Sequence, residues 1–130
     1  MRNESSLAPI EDDEWLGRFV LFRNWFRNDK TVKPDAFIPY PWPSLSVTRH
    51  LGLTEAELWE IGQDVADSRP ATLYGRADVQ AITVRNQSLS ISPTREPRNH
   101  ANINGWPPDK PSQKIIAQEI AAAATFVPRE

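Results

Sequence analysis

The residues best suited to chemistry lie in one short string, Asn99-His100-Ala101-Asn102-Ile103-Asn104-Gly105-Trp106. Side chains alternate along an extended chain, so His100, Asn102 and Asn104 would point to one side and Ala101 and Ile103 to the other. Such a donor-rich row can hold a phosphate, a carboxylate or a base edge. Lys110 follows at the start of a helix, where free backbone N–H groups favour anions. The structural alternative is a loop whose Asn side chains bond their own backbone.

Gly75-Arg76-Ala77-Asp78 is a second candidate. Gly allows a tight backbone, and Arg76 offers a planar fork for a carboxylate or phosphate. The alternative is a bulge carrying an Arg–Asp surface pair. His50 and His100 are the two histidines of the chain. Brought together, they could pass a proton between them in the manner of a ribonuclease. Separately, each reads as a structural histidine with a satisfied ring.

Other chemistry finds less support. The chain has no Cys, which removes disulfides, thiolate nucleophiles and Cys-based metal sites. No H-x-x-x-H or H-E-x-x-H spacing occurs, so no metal site is expected. There is no P-loop, G-x-G-x-x-G or G-x-S-x-G string, and no cofactor is expected. The formal net charge is −2. A non-specific nucleic-acid binder usually carries a positive excess.

Positive charge is concentrated in one place. Arg18, Arg23, Arg27, Lys30 and Lys33 face only Asp29 within residues 18–33, interleaved with Phe22, Trp25 and Phe26. Basic and aromatic residues together suit single-stranded nucleic acid. They suit a protein-binding hot spot as well, with Arg23, Trp25, Arg27 and Trp42 as its contacts. Glu57, Glu60, Asp64 and Asp67 form an acidic helical stripe, read as a solvated face or as an internal partner for the 18–33 segment.

The elements that must position these groups are short. At 130 residues the chain is one ordinary domain. It holds 12 Pro, 5 Gly and 5 Trp, a composition of stiff connections around large aromatics. Residues 1–14, ending in Glu11-Asp12-Asp13-Glu14, read as a disordered acidic leader. The opening residues have no apolar stretch behind them, so a secretory signal is not expected. No apolar run approaches the ~20 residues of a membrane span.

Trp15 to Phe22 reads as a buried strand. Pro34 to Pro39 reads as a short extended piece, and Tyr40-Pro41-Trp42-Pro43 as a stiff connector. Ser44 to Arg49 alternates as a half-buried strand does. Thr54-Glu55-Ala56-Glu57 is a capping box flanked by Leu53 and Leu58, and starts a helix that runs to about Ala66. Val79 to Val84 and Leu89 to Ser92 read as strands joined by a turn at 85–88. Asn99 to Ile103 reads as extended. A second helix runs from Lys110-Pro111 to about Ala124, with Pro in its first turn.

The expected fold is α+β: a small, mostly antiparallel sheet of five or six short strands, with two helices packed on one face, spanning residues 15–127. Strings such as Lys33-Pro34-Asp35-Ala36-Phe37, Gly75-Arg76-Ala77, His100-Ala101-Asn102-Ile103 and Gly105-Trp106-Pro107 are similar to stretches of small uncharacterised bacterial proteins. That resemblance implies a bacterial cytoplasmic protein and no particular activity.

The expected function is a non-catalytic binding or accessory module. It would take a protein partner or a small anionic ligand through Arg76, His100, Asn102, Asn104 and Lys110. Nucleic acid is the less favoured partner. The alternative is a metal-independent phosphodiester or nucleotide enzyme using His100, His50 and Arg76.

Overall fold

The computed structural model describes residues 7–129. Strand β1 (Trp15–Val20) is followed by β2 (Leu45–Arg49), helix α1 (Glu55–Ser68), β3 (Gly75–Gln80), the short helix α2 (Ala81–Arg85), β4 (Ser90–Pro93), β5 (His100–Asn104), helix α3 (Lys110–Ala123) and β6 (Thr125–Pro128). The strands form one sheet in the order β4-β5-β2-β1-β3-β6, and every pairing is antiparallel. The fold is therefore α+β, with a six-stranded antiparallel sheet.

Strand parity divides the sheet into two differently covered faces. Leu16 and Val20 of β1, Ala77 and Val79 of β3, Val47 of β2 and Ile103 of β5 share one core cluster with Ala117 and Ile120 of α3. Phe19 and Leu21 point the other way and cluster with Ala66 of α1 and Leu73. The two long helices thus cover opposite faces, where one shared face was expected. The β1–β3 pairing runs the whole length of both strands, so α3 meets apolar residues of both while α1 meets Phe19 beside Arg76. Helix α1 lies close: a Cβ at Gly62 would stand 2.6 Å from the Phe19 ring.

The local signals at the helix ends are real. The Thr54 hydroxyl accepts from the Glu57 N–H at 3.1 Å, and the Glu57 carboxylate accepts from the Thr54 N–H at 2.8 Å. At α3 the N-cap is Asp109, whose carboxylate accepts from the Ser112 N–H at 3.0 Å. Pro111 sits in the first turn, where no N–H is needed.

Four further expectations are corrected. The strand expected at 79–84 begins at Gly75, and residues 81–85 turn into α2. The turn is made by tertiary bonds: the Ala81 N–H donates to Glu14 O and the Ile82 N–H to Asp12 O, both at 2.9 Å. These override the strand preference of Ile82-Thr83-Val84. Pro34–Phe37 is a 3₁₀ turn, not an extended piece, and it buries Ala36 and Phe37 completely. Residues after α3 form a further strand, β6, along the outer edge of β3.

The fourth correction concerns the leader, of which residues 1–6 lie outside the described residues. From residue 7 onward it is held against the domain. Ile10 is buried in the core. The Glu14 carboxylate accepts from Arg49 at 2.5 and 2.8 Å, and Asp12 pairs with Arg85 at 2.7 Å. Arg49 is fully buried, so Glu14 and the Ala8 carbonyl, 2.7 Å away, compensate a charge the core could not hold alone. No helix among the described residues is long and apolar enough to cross a membrane.

Candidate binding cleft

The expected ligand row has the predicted strand geometry. Along β5 Ala101 and Ile103 are fully buried, while His100, Asn102 and Asn104 are half-buried on the other face. Asn99, just before it, takes a positive φ of 59° that Asn tolerates. Its side chain donates to the carbonyls of Arg49 and Leu51, which ties β5 to the end of β2. His100 Nδ1 is 2.7 Å from the Thr94 hydroxyl, and burial lowers its pKa from the ordinary 6.5. Asn104 donates to the Ser92 hydroxyl at 3.3 Å.

The other members of the expected site do not join this row. Arg76 lies on β3, with β2 and β1 between it and β5, which is roughly 14 Å at the usual strand spacing. Lys110 is exposed at the start of α3, against the opposite face of the sheet from the row. Asp109 already places a carboxylate at that helix end. Its pKa is lowered mainly by the bond from Ser112.

Arg76 and His50 instead meet in a closed ionic cluster. Arg76 is 3% exposed. Its two terminal nitrogens donate to both Glu55 oxygens at 2.9 and 2.7 Å. Its Nε lies 3.0 Å from both Asp78 oxygens, and its guanidinium stacks over Trp59. His50 Nε2 reaches Asp78 at 3.1 Å, across β1 at Gly17. A side chain there would crowd this contact, since a Cβ would stand 3.2 Å from His50 Nε2. Burial works against the charge on Arg76, but Glu55 and Asp78 outweigh it and raise its pKa. The same bonds hold Glu55 below its ordinary value. Two carboxylates already occupy the fork on which the anion-binding expectation rested.

The two histidines do not gather either. The His50 ring is bound to Asp78 and the His100 ring to Thr94. The small hollow beside His100 encloses about 50 Å³, room for a water or two. Among the described residues no three His, Asp or Glu side chains group as metal ligands would.

The open site lies where sheet pairing fails. Strands β1 and β2 pair at only two positions, Leu16↔Arg49 and Gly17↔Thr48. From Leu45 to Val47, β2 pairs only with β5. Arg18 stands where the β1–β2 ladder has ended and fills the gap. Its Nε donates to Ala36 O at 2.8 Å and its Nη1 to Ser46 O at 3.1 Å. The guanidinium lies 5.1 Å from the Trp25 ring, and Trp25 packs on Phe22 at 4.9 Å.

Arg18 opens into a cleft of about 460 Å³ that Trp25, Tyr40, Trp42 and Arg69 also line. Arg69 is the C-cap of α1. Its charge is the second influence, after burial, that lowers the Arg18 pKa to about 10. Among the described residues, neither arginine has a carboxylate partner.

Tyr40-Pro41-Trp42-Pro43 forms a ridge between this cleft and a second one of about 540 Å³, which Asn104, Trp106 and Pro108 line. Gln113 fixes the ridge. Its buried amide accepts from the Tyr40 N–H at 2.9 Å and donates to Pro107 O at 2.8 Å. Trp42 nevertheless stays 70% exposed and Tyr40 50% exposed.

Of the expected partner contacts, Trp25 and Trp42 share the Arg18 cleft. Arg23 and Arg27 do not line it. Arg23 bonds Phe26 O and Asn28, and Arg27 bonds Thr31 and Val32 O, so both close their own loop. The acidic stripe on α1 finds Arg98, not the 18–33 segment, as its ionic partner through Glu57 at 3.1 Å.

Sequence reasoning missed Arg18 and Arg69 as a pair, and Gln113 as the clamp. A signal existed for Arg18: it is the one charge within the apolar run 15–22. None marks Arg69 beyond its place at a helix end. No protein family, curated protein or solved structure was found to match the chain.

Proposed function

We propose that the domain is a non-catalytic binding module that takes an extended segment of a protein partner across the Tyr40–Pro43 ridge. One observation carries this reading: Trp42 and Tyr40 stand exposed on a backbone that Gln113 pins from beneath. Exposed aromatics normally cost solubility. Trp, Tyr and Arg are the residues that dominate protein interfaces, and a rigid mount reduces the ordering lost on binding. The clefts on either side give a segment two places to seat side chains. The resemblance and the absence of Cys support a bacterial, cytoplasmic setting for that partner.

A displayed library of random peptides tests the reading. The wild-type domain should enrich a family of peptides. Trp42→Ala should bind them about thirtyfold more weakly, the ~2 kcal/mol scale of an interface hot spot, with an unchanged circular dichroism spectrum. No enrichment, or enrichment that survives Trp42→Ala, would overturn it. So would binding of single-stranded oligonucleotides in place of peptides.

A further inference from the structure

We infer that Arg18 and Arg69 form a carboxylate subsite in the cleft beside the ridge, which takes an Asp or Glu of the partner segment. This rests on the peptide-binding reading above and names the partner's chemistry.

The first argument is charge. Six ion pairs link described residues, and the six include neither Arg18 nor Arg69. Among the described residues no Asp or Glu lines either hollow into which these two arginines open. Two like charges side by side are a cost that an incoming anion removes. Arg18 meets that cost half-buried, which depresses its pKa as well. The domain carries a net charge of −2, so the uncompensated pair runs against the sign of the whole chain.

The second argument is geometry. Arg18 cannot swing away, because its Nε and Nη1 are held by the carbonyls of Ala36 and Ser46. Those bonds fix the plane of the guanidinium and leave Nη2 without a partner among the described residues. Trp25 covers the ring face. A pre-oriented guanidinium edge with a second cation beside it suits a planar carboxylate, since charge-assisted bonds to a fixed fork are strong and directional. The cleft also contains Trp42 and Tyr40, so a segment on the ridge would bring a neighbouring side chain within reach.

Hexaglutamate peptide titrated into the full chain tests this, with hexaglutamine as control and tryptophan fluorescence as readout. Hexaglutamate should bind and hexaglutamine should not. Arg69→Gln should weaken binding about tenfold, and Arg69→Lys should recover part of it. Raising salt from about 50 to about 200 mM should weaken it further. Arg69 is exposed, so its variants keep the test readable where Arg18→Gln would disturb β1.

Binding that is unchanged in Arg69→Gln, or equal for the two peptides, would overturn the subsite. Inorganic phosphate bound more tightly than hexaglutamate, with the same dependence on Arg69, would overturn the carboxylate assignment. The two readings fail separately. Library peptides that need Trp42 but ignore Arg69→Gln would leave the ridge standing and remove the subsite. Arg69-dependent hexaglutamate binding with an empty library would do the reverse.

Discussion

Arg76 and Arg18 stand on adjacent strands, one position out of register, and their surroundings are opposite. Arg76 meets two carboxylates and an aromatic face, and its charge is spent inside the fold. Arg18 meets two backbone carbonyls, an aromatic face and another arginine. The first arrangement is closed and holds α1 to β3. The second leaves a positive charge facing a cleft. Sheet pairing explains the contrast. The β1–β3 ladder is complete, and α1 covers it with Glu55 in place. The β1–β2 ladder stops at the Gly17↔Thr48 pair, and no acidic residue among those described lines the gap.

The comparison can be broken most decisively at Arg76. Arg76→Met leaves Asp78 buried beside His50 without its main counter-charge. Urea denaturation should show a loss of about 3–5 kcal/mol, the usual cost of removing one partner of a buried pair. A loss under about 1 kcal/mol would mean that the closed cluster is not structural.

A smaller effect is expected at the cap that positions Glu55. Thr54→Ala removes the acceptor for the Glu57 N–H and should cost about 1 kcal/mol by the same measurement. Thermal melts of Thr54→Ser, which keeps the oxygen, should stay near wild type.

Acid should weaken the closed cluster through Glu55. The folded-state pKa of Glu55 lies below its ordinary 4.5, chiefly through the bond from Arg76. The unfolded chain therefore binds this proton more readily. Its stabilising contribution is complete above about 4.5 and disappears as pH falls through the lower folded value. His100 has the same sign. Its pKa is lowered from 6.5 by burial, so stability falls as pH drops below 6.5. The pH dependence of the urea midpoint should flatten below about 4.5 in Glu55→Gln and below about 6.5 in His100→Gln.

The smallest effect sharpens the comparison most. Arg69→Gln removes a cation with no carboxylate partner among the described residues, so stability should stay within about 0.5 kcal/mol of wild type or rise slightly. A loss of several kcal/mol would make Arg69 as structural as Arg76.

What could be read from the chain alone follows from how local each signal is. The Thr54–Glu57 box and the alternation from His100 to Asn104 involve neighbours in sequence, and both stand as expected. Gly75-Arg76-Ala77-Asp78 reads as a ligand fork or a bulge with a surface Arg–Asp pair, because a glycine and two charges rarely mark an inner strand. The segment is nevertheless an inner strand, because Asp78 and Glu55 neutralise Arg76 on one face while Ala77 packs on the other. Ile82-Thr83-Val84 favours a strand by composition, but the carbonyls of Glu14 and Asp12 capture the Ala81 and Ile82 N–H groups. Glu14 looked like part of a loose acidic leader because its counter-charge, Arg49, is distant in sequence. The Arg18–Arg69 pair was hidden for the same reason: the two meet only because β1 runs beside the end of α1.

The most direct test follows both arginines in one sample. Side-chain ¹⁵Nε–¹Hε resonances of Arg18 and Arg76 would be assigned and monitored during a hexaglutamate titration. The Arg18 signal should move saturably and the Arg76 signal should stay fixed. Movement of Arg76 with a stationary Arg18, or equal movement of both, would contradict the division between a closed structural arginine and an open binding one.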